Sequence, residues 1–178
     1  MTDETFEVML TGGHHNSLGR TIEVVDIVLA NPDRLEDLYQ CYFSADEVVR
    51  LRTSSALKRV SKEHPQWLEP YIDKLITEIS QIDQASTQWT LANLFDTLVD
   101  YMSATQKDQA QTIMQNNLET HTDWIVLNNT MQTLADWAES DPALLAWLCP
   151  YLERLQGDSR KSVANRAKKL QTKLEKFI

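Results

Sequence analysis

Glycine is nearly missing from this chain of 178 residues: there are four, three of them lie between Gly12 and Gly19, and the next is Gly157. So long a stretch without the residue that turns and bulges use favours long helices joined by short polar turns. Cysteine is equally scarce. Cys41 and Cys149 are too few for a disulfide framework or a thiolate metal site, and both fall in apolar helical stretches, as reduced packing thiols do. No run approaches the roughly 18 apolar residues of a membrane helix, and the opening MTDETFEV is acidic where a secretory leader is basic and then apolar. A soluble, cytoplasmic protein without membrane contact is expected. Nucleophile motifs, phosphate-binding loops and cofactor fingerprints are also lacking, so no catalytic residue, no cofactor and no metal is expected.

Basic charge is short, and unevenly so. The formal net charge is −9, which argues against general affinity for nucleic acid. Residues 75–153 hold one basic and eleven acidic side chains, whereas residues 154–178 hold eight basic and two acidic. An acidic middle followed by a basic end is an asymmetry that any function has to accommodate.

What the chain does have is helical periodicity. Leu91, Leu94, Phe95, Leu98, Val99 and Met102 recur at the spacing of one broad helical stripe, and Trp124, Leu127, Met131, Leu134 and Ala138 repeat it. Helix starts are marked as well. Ser44-Ala45-Asp46-Glu47 and Thr105-Gln106-Lys107-Asp108 have the form of capping boxes, and Asn31-Pro32, His64-Pro65 and Asp141-Pro142 put a polar residue before a proline at the first helical position.

The stripes also repeat over longer distances. Trp67-Leu-Glu-Pro-Tyr-Ile-Asp-Lys-Leu75 returns 80 residues later as Trp147-Leu-Cys-Pro-Tyr-Leu-Glu-Arg-Leu155. Leu57, Leu98, Leu134 and Leu170 occupy equivalent places at spacings of 41, 36 and 36. A period of this length, with two helices in each unit, is that of a helical solenoid, in which a hairpin buries its stripe only against its neighbours. The reading is one domain over 1–178: an N-terminal element with a Gly-rich loop (1–21), hairpins at 22–43, 45–79, 87–118 and 123–155, and a capping helix at 159–177. Lys161, Arg166, Lys168, Lys169, Lys173 and Lys176 give that last helix the polar outer side a cap needs.

The stretch Val49-Arg50 through Ala56-Leu57 and Val60 to His64-Pro65, followed by a second helix ending Pro70-Tyr-Ile-Asp-Lys-Leu75, resembles a HEAT repeat. The unit at 87–118 lacks the hairpin proline, and neither later unit keeps an arginine at the place of Arg50. Resemblance to this HEAT/armadillo-type family implies an all-α fold, a right-handed α-α superhelix of about four hairpins plus a cap. It also implies a scaffold that holds another macromolecule, generally along the surface of its second helices, and no particular chemistry.

Candidate contacts for a protein partner are Arg50, Arg52, Arg59 and Lys62 on the first helix of the 45–79 hairpin, with the amides Gln111, Gln115 and Asn128 further along. Gly12, Gly13, Ser17 and Arg20 form a candidate anion-binding loop, set against the plainer reading of a loop that caps a helix and covers the open end of the stack. Nucleic acid is the second-ranked partner class, gripped by basic helices at 45–63 and 159–177.

Overall fold

The computed structural model describes residues 4–178, so the first three residues of the acidic N-terminal stretch lie outside it. Among the described residues every regular element is helical. The α-helices are α1 (Phe6–Leu10), α2 (Thr21–Ala30), α3 (Leu35–Gln40), α4 (Glu47–Glu63), α5 (Ile72–Thr77), α6 (Ala85–Leu98), α7 (Ala104–Thr120), α8 (Trp124–Ala138), α9 (Pro142–Gln156) and α10 (Lys161–Leu174).

Their starts follow from local hydrogen bonding. Asp46, Asp123 and Asp141 accept the orphan amides at the starts of α4, α8 and α9. The capping box of α7 begins two residues before the expected one: Ser103 Oγ accepts the Gln106 amide at 3.2 Å and Gln106 Oε1 accepts the Ser103 amide at 2.9 Å. The difference is physical, because Met102 and Ser103 are still extended and Thr105 is already helical. Pro32, Pro65 and Pro142 all open a helical segment. His64 precedes Pro65 without a side-chain cap bond; its ring stacks on Trp67 at 4.0 Å instead.

Helices α2, α4, α6, α8 and α10 lie side by side in one closely packed row, while α5 and α7 touch less and the other helices of the second row stand further apart. The closely packed row is called the inner row and the row of second helices the outer row. Leu57, Leu98, Leu134 and Leu170 are all buried in one core that runs the length of the chain. Cys41 belongs to that core, and burial pushes its thiol up to about 11.

The repeated nine-residue pattern has a structural meaning that its periodicity did not disclose. In the first copy the segment Pro65–Tyr71 is a 3-10 helix leading into α5, and in the second the pattern lies wholly within α9. Yet the two tyrosines do the same work. Tyr71 Oη donates to Glu36 at 2.9 Å and Tyr151 Oη donates to Glu119 at 2.5 Å, so each brackets its helix to the preceding hairpin.

Leu134→Ala, at the centre of α8, should cost about 3 kcal/mol through the cavity it leaves. Ser103→Ala should cost about 1 kcal/mol through the lost cap. Urea denaturation curves of the two variants check both values and their order.

Candidate functional site

The basic residues of α4 divide by their position around the helix. Arg52 is 2 % exposed. Its guanidinium donates to five backbone carbonyls: Nη1 to Leu10 and Gly12 at 2.7 Å each and to Thr11 at 3.3 Å, Nη2 to His14 at 3.3 Å, and Nε to Ser17 at 3.1 Å. The segment from Leu10 to Gly19 is thus wrapped round a buried cation. Gly12 and Gly13 at φ 75° and Gly19 at φ 50° allow that path, which residues with a Cβ adopt at a cost. At Gly19 an added Cβ would also lie 2.8 Å from Arg52 Cζ.

Two expectations are corrected by this geometry. Arg52 is no contact for a protein partner, because it is buried and its guanidinium is turned inward onto five loop carbonyls. Gly12, Gly13, Ser17 and Arg20 form no anion loop, because the loop directs carbonyls, not amides, to its centre. Ser17 Oγ accepts the Gly19 amide at 3.2 Å, and Arg20 is held by Glu4 and Glu23 at 2.7 Å each, which raise its pKa. His14 and His15 stack on one another at 4.5 Å, and among the described residues no three histidine, cysteine or acidic side chains converge.

Arg50 is also occupied. Its Nε donates to Gln84 Oε1 at 2.7 Å and its Nη1 to the Ser44 carbonyl at 2.6 Å, tying the start of α4 to the start of α6. Arg59 is half-buried, with its Nε making no hydrogen bond, and Lys62 is exposed. Lys58 stands one turn before Lys62, and burial, with Lys62 and Arg59 close by, lowers its pKa. Among the described residues none of Arg52, Lys58, Arg59 and Lys62 has a carboxylate within ion-pair distance.

The charge asymmetry along the chain closes in space. Lys173 on α10 bridges Asp136 on α8 at 2.7 Å and Glu139, just past the end of α8, at 2.5 Å, and both contacts raise its pKa. Arg166 donates to Gln132 at 2.7 Å. Part of the basic face expected to lie outward is therefore pressed against the acidic middle of the stack. Asp96 on α6 has its pKa raised by desolvation and then by Asp136, a neighbour forty positions away in sequence, and not by Asp100 one turn along.

Several cavities open on the surface, one of about 510 Å³ between Phe6, Arg34 and Cys41 at the N-terminal end, and two others lie between successive helices of a row. On the outer row, between α5 and α7, a cavity of about 500 Å³ has Ile76 and Ile113 in its wall and Ser80, Thr105, Gln109 and Thr112 around them. Gln111 and Gln115 lie half-buried on the same α7 helix. Asn128 is not with them: it sits on α8, 8 % exposed, with its Oδ1 buried and unbonded. On the inner row, under residues 15–18 and between α4 and α6, a cavity of about 330 Å³ includes His15, Leu51, Ser55, Lys58 and Trp89 in its lining, with Arg52 behind. A neighbouring hollow of about 290 Å³ shares His15, Leu51 and Trp89. Trp89 was legible only as an aromatic lying off the apolar stripe of its helix, and His15 carried no signal for this position.

The model of the family described as HEAT repeat domain matches residues 9–174. No curated protein matches the chain. No described helix is long and apolar enough to cross a membrane.

Arg52→Ala should destabilise the fold by about 3 kcal/mol, since five carbonyls lose their shared donor and the buried side chain leaves a cavity under the loop. Gly19→Ala, strained and in collision with Arg52, should cost about 1–3 kcal/mol and more than Gly12→Ala, which meets nothing within 4 Å. Chemical denaturation of the three variants checks that ranking.

Proposed function

Because the chain belongs to the HEAT repeat domain family, we propose that it is a non-catalytic scaffold that holds another protein along its outer row of second helices. The observation that supports this is the groove between α5 and α7. Ile76 and Ile113 give it an apolar floor for a side chain, while Gln81, Gln109, Thr105 and Thr112 at its edges carry donors and acceptors suited to an extended backbone. Gln106 Nε2 donates to Asp73 at 2.7 Å, a hydrogen bond that already joins the pair of helices on either side of the groove.

Nucleic acid as the partner loses support from the fate of the basic side chains. Of those on α4 and α10, Arg50, Arg52, Arg166 and Lys173 are engaged within the chain, and the face between them carries Asp96, Asp136 and Glu139. A continuous phosphate track needs an uninterrupted run of free cations.

Gln109→Arg combined with Thr112→Arg alters two exposed positions of α7 and leaves the core untouched. In quantitative affinity capture, partners recovered by the parent protein should fall about tenfold with this variant and stay unchanged with Lys169→Glu on α10. Equal recovery from both variants would discard the groove as the docking surface, and a gel shift on short duplexes at physiological ionic strength would restore nucleic acid.

A further inference from the structure

The inner groove between α4 and α6 has a charge problem that the scaffold reading leaves unexplained. Arg52 is a buried cation neutralised by no carboxylate; its partners are neutral carbonyls. A buried charge is tolerable when hydrogen bonds or a counter-charge replace water, and carbonyl dipoles supply the first only. Nη2 carries two hydrogens and makes one bond, to His14, so one donor is left over. The same cavity holds Lys58, half-buried and displaced toward its neutral form by burial and by two cationic neighbours. No acidic side chain lines this cavity. Two cations without a counter-ion at one cavity call for an anion.

The rest of the lining narrows the class. Leu51 and the Trp89 indole offer an apolar, planar wall, Ser55 and Asn16 offer hydroxyl and amide groups, and His15 overhangs from the loop. A volume of about 330 Å³ lies at the small end of ligand sites, enough for a mononucleotide and too little for an enclosed oligonucleotide. We propose that this groove is a binding site for a nucleoside monophosphate, with the base stacked on Trp89 and the phosphate held by Lys58 and the spare Nη2 hydrogen of Arg52. Base stacking on an aromatic face and a charge-assisted contact to phosphate are the two interactions the wall is equipped to make. Ser55 and Asn16 in the same lining supply hydrogen-bonding groups for the sugar hydroxyls.

The loop gives the site one of its walls, and the Arg52 bonds hold residues 10–17 in place, so the ligand meets a formed cavity.

Isothermal titration calorimetry of the full chain with adenosine monophosphate, adenosine, inorganic phosphate and phosphotyrosine tests the assignment. Adenosine monophosphate should bind, with adenosine and phosphate each at least about tenfold weaker, since each lacks one of the two interactions. Lys58→Gln and Trp89→Ala should each weaken binding by about tenfold. Lys58 is half-buried at the groove rim, so Lys58→Gln should melt as the parent does in circular dichroism and keeps the test valid if Trp89→Ala fails to fold. No heat of binding with adenosine monophosphate up to about 5 mM would overturn the proposal. Binding indifferent to Lys58→Gln, or phosphotyrosine bound as tightly as the nucleotide, would overturn it too. None of these outcomes bears on the outer groove, which lies on the opposite row of helices.

Discussion

Burial in this protein is shared between neighbours. A two-helix unit has one apolar stripe too broad to leave in water and no means of covering it alone, so each hairpin completes the core of the one before and exposes a stripe for the one after. The equivalent leucines Leu57, Leu98, Leu134 and Leu170 make this concrete, each buried in a core contributed by adjacent units. Polar contacts follow the same rule. Tyr71 to Glu36, Tyr151 to Glu119 and Thr133 to the Ala92 carbonyl all cross from one unit to another.

Among the described residues the first and last units have a neighbour on one side only, and different chemistry covers their other sides. At the C-terminal end α10 places Val163, Ala167, Leu170 and Leu174 on the core and uses Lys173 and Arg166 to pair with acidic and amide groups of α8. At the N-terminal end the covering segment has too few apolar residues to hold itself by burial. Arg52 replaces the missing hydrophobic contact with five hydrogen bonds to backbone carbonyls, and the three clustered glycines let those carbonyls turn inward. The glycine cluster and the buried arginine are one device.

Much of the architecture could be read beforehand because helices and their starts are local. The apolar periodicity, the glycine gap and the prolines at Pro32, Pro65 and Pro142 all act within a few residues, where sequence and structure are closely coupled. The capping box at Ser103 was missed by two residues because Ser103 and Thr105 have similar chemistry and only the backbone path separates them. Charged residues were harder. A basic residue on an amphipathic helix looks the same whether it faces water, as Lys62 does, or reaches under a loop forty positions earlier, as Arg52 does.

The sequence by itself determined that this is an all-helical stack of hairpins, since period, stripe and cap depend on neighbours along the chain. Only the tertiary structure decided which polar groups are spent inside it. It made the glycine loop, a candidate anion site in the sequence, a clasp round Arg52 and set the basic end of the chain against its acidic middle. It also left Lys58 and Trp89 together on the walls of an open groove. The reason is the distance over which each effect works: hydrogen bonds and ion pairs form between whatever groups packing brings together, and packing joins residues that the sequence holds thirty or forty positions apart.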